Sequence, residues 1–314
     1  MARPIIIDAD PSPDDAVAFL MALGSPEALE VMAITTVGGN APLPLTTKNA
    51  LKALELTRRG DVPVYAGASG PLRRKLTTAQ HVHGANGFEG YDLPEPKLKP
   101  AQGFAPDAIV DLVMSRPERT VTMCCLAPLT NLALALAKEP RLASRLDQIV
   151  LMGGAHGEGG NVTPSAEYNI YVDPEAARAV FACSAPIVMI PLDCTHKALT
   201  TRARMNALRA VGPPHMEAFY HLLTANKRFD ERKYGTDGGP LHDPTVIAYL
   251  IRPELFSGRK VNVEISCDAL TRGMTIVDWW GVTAKPANAL VLKEIDADAY
   301  FELVIERLGR SARP

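Results

Sequence analysis

The sequence lacks several features that define large classes of proteins. Of its 314 residues, 33 are basic and 35 are acidic, so the net charge of −2 offers no excess of positive charge to a nucleic acid. No apolar run approaches the roughly 20 residues that span a membrane. The three isoleucines at positions 5–7 end at Asp8, which is typical of a buried strand rather than of a signal peptide. We therefore expect neither a nucleic-acid nor a membrane partner.

Cysteine is scarce, and its pattern does not fit a disulfide framework or a zinc knuckle. The five cysteines form no CxxC pair, and their number is odd. Most lie in apolar stretches, so we assign them to the core as free thiols in a reducing compartment. This pattern predicts a cytoplasmic protein.

Several common catalytic motifs are also missing. There is no GxxxxGK[ST] phosphate loop, no GxGxxG sequence after a strand and no GxSxG nucleophile elbow. His81 and His83 have the HxH spacing of some zinc hydrolases, but they lie in a segment rich in glycine and asparagine rather than on an apolar strand. That context disfavours a zinc pair.

Apolar, strand-like runs alternate with helix-like segments along most of the chain. Strands are predicted at residues 4–7, 29–37, 121–126, 148–152 and 186–192, with helices at 15–23, 45–56, 129–137 and 174–182. The last third adds helices at 213–228, 243–251 and 296–307 and strands at 260–266 and 274–279. This order predicts an α/β fold: a single domain over residues 1–314 with an open, mostly parallel sheet, helices on both faces and a Rossmann-like core.

Four carboxylates follow the first predicted strand within eight residues: Asp8, Asp10, Asp14 and Asp15. Asp8 and Asp10 are two apart on a strand and therefore share a face, while Asp14 and Asp15 open a helix whose positive end favours negative charge. Acids this close repel one another unless a cation lies between them. A hard divalent cation with oxygen ligands fits the cluster, although Asp14 alone would be explained as a helix cap.

Three further polar patterns are each weak evidence for a ligand-binding site. Residues 241–244 read LHDP before a predicted helix, residues 161–169 read NVTPSAEYN in a glycine-rich loop, and residues 36–40 read TVGGN at the end of the second strand. Two amides and an acid in the second pattern could bind the hydroxyls of a sugar, but each pattern also fits ordinary turn chemistry. In an open α/β sheet, loops after the carboxyl ends of strands form the ligand crevice.

Together and in this order, these segments resemble the nucleoside hydrolases of the inosine–uridine-preferring type. That family opens with a strand that ends D-x-D-P-G-x-D-D-A, and residues 8–16 read DADPSPDDA. The likeness covers essentially the whole chain, through ITTVGGN at 34–40, HG at 83–84, APLTN at 127–131, MGG at 152–154, AEYN at 166–169, DPEA at 173–176, LHDP at 241–244 and GMT at 273–275. It implies the nucleoside hydrolase fold and Ca²⁺-dependent hydrolysis of the N-glycosidic bond of ribonucleosides to free base and ribose, in nucleoside salvage.

The resemblance also implies roles for individual residues. The family's Ca²⁺ ligands match Asp10, Asp15, Asp243 and the backbone carbonyl of Leu126. Asp10 also matches the general base that deprotonates a metal-bound water, and His242 matches the acid that assists departure of the base. The ordinary histidine pKa, near ~6.5, suits that acid at neutral pH. Ribose-binding groups match Asp14, Asn40, Asn161, Glu167 and Asn169, and His83 matches a residue that lines the base pocket.

Three further points concern the comparison with the family: one substitution, two possible lid residues and the oligomeric state. Ser12 replaces the family's glycine after Asp-Pro, and a serine there would be strained by about 1–3 kcal/mol if the turn required a positive φ. Helical spacing places Asp230 and Tyr234 on one face just before His242, from where they could reach the base as part of a lid. Because family members are usually dimers or tetramers, the resemblance implies a homodimer or homotetramer.

Two other functions remain open from the sequence. A Mg²⁺-dependent phosphotransferase or phosphatase of the haloacid-dehalogenase type also has DxD after its first strand, and a phosphorylated Asp8 would identify it. That class usually has Thr or Val where Ser12 stands. A non-catalytic nucleoside- or ribose-binding protein would bind its ligand without turnover. The sequence also leaves open whether the base is a purine or a pyrimidine.

Overall fold

The structure, a computed structural model, describes residues 2–88, 93–210, 217–218, 220–224, 231, 233 and 235–311. Within these residues the strands are β1 (Arg3–Ala9), β2 (Leu29–Thr36), β3 (Val64–Ala66), β4 (Thr122–Cys125), β5 (Gln148–Met152), β6 (Ile187–Ile190), β7 (Phe256–Ile265), β8 (Thr275–Asp278) and β9 (Ala289–Ile295). The helices are α1 (Pro13–Leu23), α2 (Leu43–Leu56), α3 (Gln80–His83), α4 (Ala105–Met114), α5 (Thr130–Lys138), α6 (Leu142–Arg145), α7 (Tyr168–Val172), α8 (Pro174–Phe181), α9 (Leu192–Thr195), α10 (Arg202–Arg209), α11 (Pro244–Ile251) and α12 (Ala297–Ser311). A 3₁₀ turn spans Pro253–Leu255.

All the strands join one sheet in the order β3-β2-β1-β4-β5-β6-β9-β7-β8. The pairs from β3 to β9 are parallel, and β7 runs antiparallel to both β9 and β8. The predicted α/β fold with a mostly parallel sheet is therefore confirmed. The chain moves outward from β1 to β3 in one direction and from β4 to β6 in the other. Such a reversal opens a crevice at the carboxyl ends of β1 and β4.

Helices cover both faces of the sheet, as the side chains of β1 show. Ile5 and Ile7 point into one core, which they share with α1, α11 and α12, while Ile6 points into a second core formed with α4, α5 and α8. Alternate side chains of a strand face opposite sides, so a strand with both faces covered must be apolar throughout. This explains the uninterrupted isoleucines at 5–7.

The structure confirms most of the predicted elements and adds others. It adds strands β3 and β9 and helices α3, α4, α6, α7, α9 and α10, which were not predicted from the sequence. Of the helix predicted at 213–228, residues 217, 218 and 220–224 are helical, and the rest lies outside the described residues. No helix in the described part of the chain is long and apolar enough to cross a membrane.

The assignment of cysteines to the core holds for three of the five. Cys124, Cys125 and Cys194 are buried, but Cys183 and Cys267 are only half-buried. Both lie outside the strands and helices, after α8 and β7 respectively, where part of the side chain stays in contact with solvent. All five are free thiols, as predicted.

A buried asparagine ties together the ends of neighbouring strands. The amide of Asn131, in the first turn of α5, donates to Asp8 Oδ1 at 2.8 Å and to the Thr36 carbonyl at 3.1 Å, and it accepts from the Ala68 N–H at 2.9 Å. Thr35 also donates to Asp8 Oδ1, at 2.6 Å. Burial raises the pKa of Asp8 to about 6. Asp8 is thus bonded to side chains inside the sheet and does not join the other acids. Strand alternation predicted that Asp8 and Asp10 share a face, but β1 ends at Ala9, before Asp10.

We expect Asn131→Ala to lower the free energy of unfolding by about 2–3 kcal/mol, because it leaves the buried Ala68 N–H without its partner and removes one hydrogen bond each from Asp8 and the Thr36 carbonyl. Urea denaturation measures this change. The matched control is Asn206→Ala on the exposed face of α10, which we expect to stay within about 0.5 kcal/mol of the wild type. Equal effects of the two substitutions would contradict the structural role of Asn131.

Candidate active site

A cleft of about 1030 Å³, including the space at its mouth, opens at the carboxyl edge of the sheet. Most of the predicted site residues line it, namely Asp14, Asn40, His83, Leu126, Asn161, Glu167, Asn169, His242 and Asp243. Asp10 and Asp15 are fully buried. Tyr234 and Asp230, the predicted lid residues, lie outside the described residues. The structure thus gathers segments between Ser12 and Asp243 around one cavity.

Ser12 fits the turn between β1 and α1 without strain. Its φ of −113° and ψ of −177° are extended backbone, so the turn does not need the family's glycine. The Ser12 N–H donates to Asp15 Oδ2 at 2.8 Å, and its hydroxyl oxygen lies 2.5 Å from Asp14 Oδ1 and 3.0 Å from Asp15 Oδ2. The serine therefore orients both acids at the start of α1.

Asp10 follows β1 and is held by the loop after β2. Its Oδ2 accepts from the Asn40 N–H at 2.6 Å, and the Asn40 side chain donates to the Asp10 carbonyl at 3.3 Å. The backbone of Gly39 packs directly on this carboxylate, since a Cβ at Gly39 would lie 2.0 Å from Asp10 Oδ2. A glycine is required at position 39 for this close approach. The sequence alone allowed the simpler interpretation that residues 36–40 only form a turn.

Carboxylates from two helix starts meet beside Asp10. One oxygen each from Asp14, Asp15 and Asp243 lies within 4.8 Å of the others, where α1 packs against α11. Burial and the charges of neighbouring acids raise the pKa of Asp10 and Asp243 well above the ordinary range and that of Asp15 to about 8. Asp14, which the resemblance matched to ribose, thus stands among the predicted metal ligands.

This cluster fits a hard divalent cation. The Oδ1 atoms of Asp10 and Asp15 are buried, and within the described residues they have no hydrogen-bond partner. The charges that act most strongly on these acids belong to other carboxylates, so a cation would relieve their repulsion. The donors are all oxygen, which suits Ca²⁺ or Mg²⁺ rather than a soft metal. Leu126, at the end of β4, lines the same cleft.

Glu167 and Asn169 shape the wall of the cleft beyond β4 and β5. Glu167 caps α7: its carboxylate accepts from the N–H groups of Gly154, Asn169 and Ile170 at 2.8–3.2 Å. Burial raises the pKa of Glu167 to about 7. The Asn169 amide donates to the Leu126 carbonyl at 3.0 Å. These contacts fix the loop rigidly while leaving both residues on the cleft surface.

Asn161 sits in the loop opposite, and its side-chain oxygen accepts from the Tyr168 N–H at 2.9 Å. The carbonyl of Asn161 accepts from Lys233 Nζ at 2.5 Å, and Lys233 also lines the cleft. Lys233 was not predicted as a site residue, because no motif in the sequence surrounds it.

His242 lies in the cleft with its Nδ1 atom 2.8 Å from the Thr195 hydroxyl. Burial and the nearby His196 lower the pKa of His242 to about 4, so the ring is neutral at pH 7. The ordinary histidine pKa assumed from the sequence does not hold in this site. A neutral imidazole still has one N–H to donate. Thr195 was not predicted as a site residue either, although it follows a predicted strand at the carboxyl edge of the sheet.

The family profile described as inosine-uridine preferring nucleoside hydrolase matches residues 5–302. The chain belongs to this nucleoside hydrolase family. It is 51% identical over 310 residues to an uncharacterized protein of Schizosaccharomyces pombe, covering 98% of this chain and 99% of that one. It is 44% identical over 311 residues to the pyrimidine-specific ribonucleoside hydrolase RihA of Salmonella schwarzengrund, again covering 98% and 99%.

Solved structures give the same result for the fold. A purine-preferring ribonucleoside hydrolase from Gardnerella vaginalis has a TM-score of 0.92 at 30% identity, covering 99% of both chains. A plant nucleoside hydrolase has a TM-score of 0.93 at 34% identity, covering 98% of this chain and 99% of that one. The nucleoside hydrolase fold is therefore confirmed, and the chain is a hydrolase that acts on N-glycosyl compounds.

The haloacid-dehalogenase alternative has no support in the site. Its nucleophile would be Asp8, which is fully buried and bonded to Thr35 and Asn131. A nucleophile needs access to its substrate, and this hydrolase keeps Asp8 inside the sheet.

We expect Gly39→Ala to reduce the turnover number strongly, by tenfold or more on an order-of-magnitude scale, because the new methyl group displaces the Asp10 carboxylate. The control is Gly70→Ala, whose Cβ would lie 3.6 Å from Leu76, an ordinary contact. Steady-state kinetics and a melting curve of each variant check this. A folded Gly39→Ala variant with wild-type turnover would contradict the described contact.

The raised carboxyl pKa values also predict how stability depends on pH. Without a metal, folded Asp15 and Glu167 hold protons up to about pH 8 and about pH 7, while unfolded carboxyls lose theirs near pH ~4. The folded chain then binds more protons, so the free energy of unfolding falls as the pH rises from about 5 to about 8. Saturating Ca²⁺ holds the carboxylates charged and should flatten the fall.

Denaturant unfolding in chelator and in Ca²⁺ across this pH range measures the effect. Asp15→Asn should reduce the slope in chelator because the amide has no proton to lose. Asp61→Asn, which changes an exposed acid paired with Arg59, should keep it. Stability that rises over the same range in chelator would disprove the interpretation.

Proposed function

We propose that this chain hydrolyses the N-glycosidic bond of ribonucleosides to free base and ribose, with a Ca²⁺ ion held by Asp10, Asp15, Asp243 and the Leu126 carbonyl. The observation that carries the proposal is the pair of buried, unpartnered Oδ1 atoms on Asp10 and Asp15 beside Asp243. Among the described residues, the donors that converge there are carboxylate oxygens, beside a cleft in a nucleoside hydrolase. The 44% identity to a pyrimidine-specific hydrolase supports pyrimidine ribonucleosides as the preferred substrates.

In this proposal Asp10 is the general base. The Asn40 N–H donates to Oδ2 and so fixes the orientation of the carboxylate that would take a proton from the attacking water. Burial and neighbouring acids raise the pKa of Asp10, which makes it a stronger base than an ordinary aspartate. The bound Ca²⁺ would supply Lewis-acid activation of that water and orientation of the ribose.

The carboxylates also suit the charge that the reaction creates. Breaking an N-ribosidic bond builds positive charge on the ribose ring, and negative groups fixed in a poorly solvated site stabilise that charge. Asp14 lines the cleft beside the buried acids, which supports this role for it. We assign the ribose hydroxyls to the polar side chains of Asp14, Asn40, Asn161, Glu167 and Asn169.

Two histidines that line the cleft would contact the base. His242 is neutral at pH 7 and assists departure of the base by donating an N–H, not by carrying a full positive charge. His83, at the end of α3, lines the same cleft and would contact the base. The homodimer or homotetramer and the cytoplasmic location inferred above stay predictions.

Ribose release from uridine, cytidine, inosine, adenosine and guanosine tests the proposal. We expect uridine and cytidine to be cleaved fastest, a chelator to abolish release and added Ca²⁺ to restore it. Asp10→Asn should lower the turnover number by a factor on the order of 10²–10⁴ while changing KM only a few-fold, because it removes the base but keeps the shape of the side chain.

Asp107→Asn is the matched control, since Asp107 pairs with Lys138 on the surface. It should keep wild-type kinetics. Absence of ribose release from every nucleoside in the presence of Ca²⁺, or nearly full turnover in Asp10→Asn, would overturn the proposed function.

A further inference from the structure

The short helix α9 follows β6 at the same sheet edge as the cleft, and backbone contacts hold it firmly. The Asp193 carboxylate accepts from the N–H groups of His156, Gly157 and Glu158 at 2.8–2.9 Å. This clamp joins α9 to the loop after β5. A side chain on α9 is therefore presented from a fixed support.

Thr195 ends this helix and touches the proposed acid. It is fully buried, and its hydroxyl lies 2.8 Å from His242 Nδ1. The ring of His196 lies beside that of His242, with centroids 5.9 Å apart and planes tilted by 51°. His196 in turn contacts Glu158 Oε1 at 3.1 Å. The His242 ring is thus held through Nδ1, which leaves Nε2 as the nitrogen available to a ligand in the cleft.

The Thr195 hydroxyl can either donate a hydrogen bond to His242 Nδ1 or accept one from it. Donation to a neutral ring keeps Nδ1 unprotonated and places the ring proton on Nε2. A hydroxyl that accepts from Nδ1–H of a charged ring also leaves a proton on Nε2. A neutral ring whose Nδ1–H donates to the hydroxyl would instead leave Nε2 without a proton, so the direction of this hydrogen bond decides whether His242 can donate to the base.

We propose that Thr195 is a positioning residue that fixes the orientation and tautomer of His242, so that Nε2–H is presented to the departing base. The proposal rests on the role of His242 given above. It assigns to α9 a part in the reaction that the sequence motifs do not indicate.

Thr195→Val tests this, since valine has nearly the same shape without the hydroxyl. We expect the kcat for uridine to fall about tenfold with KM within about twofold, because the loss concerns proton donation in the transition state. Thr195→Ser keeps the hydroxyl and should retain most of the activity. With p-nitrophenyl riboside, whose leaving group needs no proton, all three proteins should turn over at similar rates.

Two further measurements separate positioning from a merely structural role. In a His242→Ala background, adding Thr195→Val should cause no further loss, because the residue acts only through His242. Histidine ¹⁵N NMR, with the His242 signals assigned by their absence in His242→Ala, should show the Nε2–H tautomer in the wild type and a shift toward Nδ1–H in Thr195→Val.

Equal losses for uridine and p-nitrophenyl riboside, or additive losses in the double variant, would overturn the proposal. So would an Nδ1–H tautomer in the wild-type protein, a result that needs no folded variant. If His242→Ala cleaves uridine at the wild-type rate, the role of His242 itself fails and this inference fails with it. If His242→Ala is impaired and Thr195→Val is not, only the role of Thr195 is wrong.

Discussion

The structure of this protein depends above all on the burial of several carboxylates next to one another at the carboxyl edge of the sheet. Asp10, Asp15 and Asp243 are removed from water next to one another, and like charges in such a site oppose ionisation. The chain tolerates them because hydrogen bonds from Ser12 and from the Asn40 backbone fix their geometry. That geometry leaves oxygens unpaired, which is a cost to the folded chain unless a cation occupies the cluster.

The topology explains where the described part of the chain gathers these carboxylates. The sheet reverses its order between β1 and β4, so the loops after these strands diverge and leave room for a ligand. Two helices, α1 and α11, begin at that opening and bring Asp15 and Asp243 together although the residues are far apart in the chain. Gly39 completes the arrangement by letting the loop after β2 approach Asp10. The walls of the cleft then come from loops at the carboxyl edge of the sheet.

Local patterns in the sequence predicted the features that are set by residues close together in the chain. The order of strands and helices follows from apolar runs, and the density of acids after the first strand indicated a metal site. Strand β9 was missed because its apolar run, flanked by charged residues, resembles the start of a helix as much as a strand. The role of Asp8 was misjudged because alternation ends where β1 ends.

Properties that arise from burial or from contacts between distant residues could not be predicted from the sequence. The lowered pKa of His242 depends on how the fold encloses the ring, and Thr195 reaches that ring across 47 positions of the chain. The most direct test of the account is calorimetric titration of Ca²⁺ into chelator-stripped protein at neutral pH. We predict one bound ion per chain, release of protons on binding, and loss of binding in Asp15→Asn. Absence of binding, or unchanged binding in Asp15→Asn, would contradict the account.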